Sequence, residues 1–167
     1  PTSISPARRD DHQGCHTAPC AAASSGGAHR RDRAWRRRGY AAPSPPHVKR
    51  AVLLRACPSP VTWVETGTYL GDTTAALARH GATHVFTIEP DPELAARAHK
   101  RFSHMPTVTV IEGASEDVLP DLLPRIVGPV AFWLDGHFSG GVTHRGNTDT
   151  PILAELTTIE QHLPTLQ

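Results

Sequence analysis

The sequence predicts an α/β protein, with a mostly parallel sheet and helices crossing over between its strands. Three observations predict it. From His47 onward, four short runs rich in Val, Ile, Phe and Trp alternate with helix-like segments; such alternation in units of about thirty residues argues βαβ crossovers. The runs are nearly continuous in apolar residues, as strands covered on both faces are. A glycine-containing turn follows the first run directly.

The elements are justified in chain order. Residues 1–46 hold almost no Leu, Ile, Val or Phe and are dominated by Arg, Pro, Ala, Ser and Gly. Such a segment buries too little apolar surface to offset about 1–2 kcal/mol of backbone ordering entropy per residue. A disordered tail is expected over 1–46, and a folded domain over 47–167. Val48, Ala51, Val52 and Leu54 place a short amphipathic helix before Pro58. Val61–Glu65 is the first strand, and Gly67 to Gly71 a loop. Asp72 to His80 reads as a helix, with Asp72 as N-cap and Gly81 as its stop. His84–Glu89 is the second strand, ended by Pro90. Asp91-Pro92-Glu93 opens a helix reaching about Phe102, with proline where its missing N–H does no harm. Thr107–Glu112 is the third strand, Ser115–Leu123 a short helix, and Pro129–Asp135 the fourth strand. A glycine-rich loop, Gly136 to Thr148, precedes a last helix that starts at Thr150-Pro151 and ends near His162.

Charge divides the chain in the same place. Residues 1–50 hold ten Lys/Arg against three Asp, and residues 51–167 hold seven against thirteen acids, so the net charge of +1 conceals two unlike halves. The segment Arg30 to Arg38, with Trp35 among its arginines, reads in two ways. Clustered Arg releases phosphate counterions and Trp stacks on bases, which describes a nucleic-acid arm. The reading preferred from composition is a solvated tail, because charge blocks are commonly disordered. Three cysteines cannot form a dense disulfide framework; Cys15 and Cys20 lack a second ligand pair for zinc, and Cys57 sits in an apolar stretch that suggests packing. No run of 18 apolar residues is present, which excludes a transmembrane helix, and no signal peptide is visible. A cytoplasmic protein is expected. The chain begins with Pro1 rather than Met and reads as a fragment.

Ligands of such sheets bind at the carboxyl ends of the strands, so the strand ends carry the functional reading. The first ends Glu65-Thr66-Gly67-Thr68-Tyr69-Leu70-Gly71. A glycine turn into a helix N-terminus lets backbone approach a ligand. The second ends in Glu89, an acid able to accept hydrogen bonds from both hydroxyls of a ribose. The third is followed by Gly113-Ala114-Ser115, and the fourth ends in Asp135 with Gly136-His137 beyond it. Tyr69 stands where a dinucleotide fingerprint needs its second glycine, which argues against NAD, and no P-loop pattern occurs. Glu65 before Gly67 suits a ligand carrying an ammonium as well as a carboxylate. An amino-acid tail joined to an adenosine ribose describes S-adenosylmethionine.

At these residues the sequence resembles the class I S-adenosylmethionine-dependent methyltransferases. E-T-G-T-Y-L-G is similar to their first motif, acid-x-G-x-x-x-G; T-I-E-P-D-P to the ribose-binding acid; I-E-G-A-S and W-L-D-G-H-F-S-G-G to the segments after strands three and four. The last two, with D-T-P-I-L-A-E-L, resemble a largely uncharacterised bacterial subgroup, distantly related to O-methyltransferases of the macrolide-sugar type. The resemblance covers about residues 47–163. It implies a Rossmann-like three-layer sandwich, truncated after strand four and its helix, since the family fold has seven strands. It implies that Glu65 orients the methionine ammonium, that Thr66, Gly67, Thr68, Tyr69 and Gly71 form the cofactor loop with backbone contacts from Gly67 and Thr68, and that Glu89 holds the ribose. Gly113 would belong to the cofactor site, Ala114 and Ser115 would flank the adenine, and Asp135 would face the methionine end and the acceptor. Ala114 departs from the Asp or Asn often found there.

The acceptor chemistry stays open between roles. His137 has an ordinary pKa of about 6.5 suited to a general base at neutral pH, or it is a loop histidine bonded to backbone. Asp135 and Asp149 offer oxygen ligands to Mg²⁺, or Asp149 caps the helix at Thr150-Pro151. His144 and Arg145 lie in the same loop. Trp63 and Trp133 fall in apolar runs and read as core. The expected activity is methyl transfer to a small-molecule acceptor, at oxygen in preference to nitrogen. The rivals are a cofactor-binding fragment without activity, and a polyanion-binding protein acting through Arg30–Arg38. Homo-oligomerisation is left open.

Overall fold

The computed structural model describes residues 25–57, 61–136 and 151–162. The chain divides into two compact units, Pro1–Pro45 and Pro46–Gln167.

In the first unit, Ser25–Arg37 forms helix α1. No fold was expected there, and the physical reason for the difference is specific. The segment lacks the apolar residues for a core, but Ala and Arg are strong helix formers and no proline interrupts it. Scarcity of Leu and Val excludes a core, not a helix. Gly39, at φ 63°, ends it in left-handed conformation, and the Tyr40 amide donates back to the Trp35 carbonyl at 3.1 Å, a common C-terminal closure. The Trp35 and Tyr40 rings meet edge to face, 4.9 Å apart.

The second unit is a three-layer α/β sandwich. Helix α2 (Pro46–Ala56) precedes β1 (Thr62–Thr66), α3 (Asp72–Arg79), β2 (His84–Glu89), α4 (Pro92–Phe102), β3 (Val108–Glu112), α5 (Ser115–Leu122), β4 (Val130–Leu134) and α6 (Ile152–His162). The sheet has the order β3-β2-β1-β4, and every pairing is parallel. Residue alternation sorts the side chains to two faces. Val64 and Ile88 pack with Leu119, Leu122 and Ile159 beneath α5 and α6. Trp63 and Val85 pack with Leu53 and Leu77 of α2 and α3, and Val110 with Ala98 and Phe102 of α4. Cys57 and Trp133 pack against the second of these clusters.

Two local expectations shift. Strand β1 runs one residue further than Glu65, to Thr66. Asp72 is not the N-cap of α3; that position is Gly71, at φ 74°. A side chain at 71 would strike the Phe102 ring at 2.8 Å. Asp72 instead pairs with Arg101 at 3.0 Å, while Arg101 also donates to the Leu70 carbonyl. Helix α4 has a side-chain cap: Asp91 Oδ1 accepts from the amides of Glu93 and Leu94, both at 2.9 Å.

Candidate functional site

Strand β1 lies between β2 and β4, where the strand order reverses. The crossovers run outward from β1 to β2 to β3, then return past β1 to β4. Open parallel sheets bind ligands outside the carboxyl ends of the strands at such a switch point. The two strand ends there are drawn together. The Asp135 amide donates to the Thr66 carbonyl at 3.1 Å. A Cβ on Gly67 would lie 2.7 Å from the Asp135 carbonyl oxygen, and Gly67 has φ 83°. Only glycine allows both the approach and the left-handed turn.

Glu65 is 1% exposed. Its Oε2 accepts from Thr74 Oγ1 of α3 at 2.5 Å and from Thr87 Oγ1 of β2 at 2.8 Å. Thr87 is its register partner, so pairing itself delivers one of the donors. Burial pushes the Glu65 carboxyl up to about 7; the Thr74 and Thr87 bonds oppose the shift, and the nearby Asp135 and Glu89 carboxylates add to it. A cation placed beside it would favour the ionised form.

Glu89 ties the second strand to the loop after the first. Its Oε2 accepts from the Tyr69 amide at 2.7 Å and its Oε1 from the Asp91 amide at 3.1 Å. A carboxylate has about four acceptor sites, so each oxygen keeps one after these bonds. Tyr69 reaches Glu89 by adopting φ 49°, unusual for a non-glycine residue, while its side chain is 48% exposed.

The loop amides bond within the protein. Those of Gly67 and Thr68 both donate to the Ile88 carbonyl, at 2.9 and 3.2 Å, and that of Gly71 to the Thr68 carbonyl at 2.7 Å. Thr68 is buried, its Oγ1 2.6 Å from Thr87 Oγ1. Thr66 is fully buried, with its hydroxyl beside the Glu155 carboxyl.

The Gly113 amide donates to the Glu89 carbonyl at 3.0 Å, fixing the turn after β3 beside the end of β2. Ala114 occupies the N-cap position of α5 and offers no side-chain cap. Ser115 follows, buried, and donates to Glu155 Oε1 at 2.6 Å. Glu155 was not foreseen. It lies on α6, 1% exposed, and a Cβ on Gly136 would come within 3.5 Å of its Oε1. Burial raises its pKa; the Ser115 bond and the nearby Thr66 hydroxyl oppose the rise, and Glu116 adds to it. A signal was present: Glu155 shares the face of α6 that carries Ile152 and Ile159 at helical spacing.

Glu65, Thr66, Gly67, Thr68, Tyr69, Gly71, Glu89, Gly113, Ala114, Ser115 and Asp135 thus cluster around the carboxyl ends of the strands. His137, His144, Arg145 and Asp149 lie outside the described residues. Among the described residues, no group of three His, Cys, Asp or Glu is placed to hold a metal ion, and no helix is long and apolar enough to cross a membrane. A recess lined by His99, Phe102, Met105 and Val108 opens at the other end of the sheet, at the start of β3.

No protein-family model and no curated protein matches the sequence. Solved structures do match. The Streptococcus mutans protein SMU.1697c, described as a candidate methyltransferase and solved in complex with SAH, aligns at a TM-score of 0.50 with 15% identity. The match covers 76% of this chain and 69% of that one. The 23S rRNA methyltransferase ErmE aligns at 0.50 with 20% identity, over 71% of this chain and 42% of its own. The sheet order, the crossovers and these matches show a Rossmann-like α/β fold, shared with these two structures.

Proposed function

We propose that the chain binds S-adenosylmethionine at the switch point and takes part in methyl transfer to a small-molecule acceptor, at oxygen. The observation that carries this reading is the pair of buried acids, Glu65 and Glu89, on adjacent strand ends beside the bare Gly67 turn. Their chemistry matches a ligand with an ammonium at one end and a ribose diol along its length.

Glu89, rigidly oriented by the Tyr69 and Asp91 amides, accepts from the ribose hydroxyls with its remaining lone pairs. Glu65 accepts from the ammonium, directly or through water, with the oxygen not committed to the threonines. The Gly113–Ser115 turn flanks the adenine. When bound, the cofactor supplies a sulfonium-activated methyl group, open to in-line attack by the acceptor. The protein's main contribution is to hold donor and acceptor in line, and such positioning supplies several kcal/mol of a barrier. Asp135, at the end of β4, faces the methionine end, and Asp135 or His137 takes the acceptor proton.

The test is calorimetric titration of S-adenosylhomocysteine into the full chain, beside Glu89→Gln and Glu89→Ala, with thermal unfolding of all three. Hydrogen bonds to a charged group contribute about 1.5–3 kcal/mol each, so the expected loss in Glu89→Ala is about ten- to a hundredfold or more, with a smaller loss in Glu89→Gln. A folded wild-type chain that takes up no S-adenosylhomocysteine overturns the reading.

A further inference from the structure

We infer that α1 is a sequence-independent nucleic-acid-binding element that engages phosphates through one stripe of arginines. At 3.6 residues per turn, Arg30, Arg33 and Arg37 follow one another along a single helix face, with Arg36 beside them. All four are exposed. The stripe from Arg30 to Arg37 is about 10 Å long at 1.5 Å rise per residue, and a duplex presents roughly one phosphate charge per 1.7 Å of axis. Several phosphates fall within its reach.

Three further features select the partner. The basic residues of 25–38 are six arginines with no lysine, against the one acid Asp32. The planar guanidinium suits bidentate contact with phosphate better than an ammonium does. Among the described residues the helix has no apolar face: away from the stripe lie Arg31, Asp32 and Trp35. An interfacial membrane helix needs such a face to insert, so the charge points to a nucleic acid and not to a bilayer. Trp35 is half-buried with its ring against Tyr40, off the arginine stripe. It packs within its own unit and does not present a base-stacking platform. Recognition then rests on phosphates alone, which is binding without sequence preference.

The experiment is fluorescence anisotropy of the full chain with a labelled DNA duplex of arbitrary sequence, about two helical turns long, from about 50 to about 200 mM salt. Engagement of four phosphates predicts a slope of log K against log salt of about −3.6, at roughly −0.9 per phosphate. Arg33→Gln should reduce the slope by about 0.9, and Arg33→Gln with Arg37→Gln by about 1.8. Arg31→Gln, on the other face, should leave it unchanged. Gln is nearly as good a helix former as Arg, and circular dichroism of each variant confirms the helix. Equal effects at Arg31 and Arg33 would mean undirected charge and overturn the proposal. So would an absence of duplex binding at the lowest salt, or tighter binding to phosphatidylserine vesicles than to the duplex.

Discussion

Ser115 Oγ donates to Glu155 Oε1 at 2.6 Å, joining the first residue of α5 to the buried face of α6. The bond clamps the turn after β3 to the helix that follows β4, on either side of the switch point. Around this bond pack apolar residues including Ile159, while Glu116 lies 3.5 Å from Ser115 Oγ and the Thr66 hydroxyl lies beside Glu155.

Ser115→Ala should therefore cost about 1–3 kcal/mol, the penalty of leaving a buried polar group unpaired. Ser115→Ala, Glu155→Leu and the double variant form a cycle measured by urea unfolding. The expected coupling is at least about 1 kcal/mol, with the double variant less damaged than the sum of the singles. Additive effects would show that the two side chains are held independently.

Glu65 makes stability depend on pH in a defined direction. Its carboxyl is raised from 4.5 to about 7, so between those values the folded chain binds more protons than the unfolded one. Stability from this group is full below about 4.5 and is lost as pH rises through about 7, a span worth about 3 kcal/mol at 1.36 per unit. Glu65→Gln should flatten that slope. Its melting temperature should exceed wild type above pH 7 and approach it near pH 5. Parallel melting curves across this range would sink the assignment of Glu65 as the titrating group.

The same acid predicts how ligand affinity responds to pH. A bound ammonium favours the ionised carboxylate, so S-adenosylhomocysteine should bind up to about tenfold more weakly for each pH unit below 7. The dependence should vanish in Glu65→Gln. Affinity that is flat from pH 5.5 to 7.5 in wild type would place the ammonium elsewhere.

Gly67→Ala should cost more than about 2 kcal/mol, since a Cβ there meets the Asp135 carbonyl oxygen at 2.7 Å on a left-handed backbone. Chemical denaturation measures it. A cost below about 1 kcal/mol would mean that the ends of β1 and β4 separate freely. Asp72→Asn is the contrasting case. Its pair with Arg101 is solvent-exposed, and such pairs contribute about 0–1 kcal/mol, so a larger loss would reveal a capping role the geometry lacks.

The strand–helix alternation was legible because parallel strands buried on both faces write themselves as apolar runs: β2 is His84–Glu89 as expected, and α4 ends at Phe102. The strand-end acids were legible for the same reason, since a charge closing an apolar run is conspicuous. Three things were not. The helix at Ser25–Arg37 rests on local propensity, invisible to a reading that asks only for a core. Glu155 is marked in the sequence only by its place on the face of Ile152 and Ile159, and its burial depends on the packing of α6. The commitment of the Gly67 and Thr68 amides to Ile88 depends on tertiary pairing with β2, which motif spacing does not encode.

The placement of β1 between β2 and β4 has a consequence for assembly. Its pairing with β2 closes a chain segment of roughly 20 residues and its pairing with β4 one of roughly 70, a difference of about 1 kcal/mol in closure entropy. During synthesis the earlier strands emerge and pair first, leaving β1 with one flank open until β4 arrives. The seam that closes last is the one bearing the Thr66–Asp135 backbone bond and the Gly67 contact. The crevice is thus expected to be the final part of the sheet to gain protection in pulsed hydrogen exchange, and the first to open.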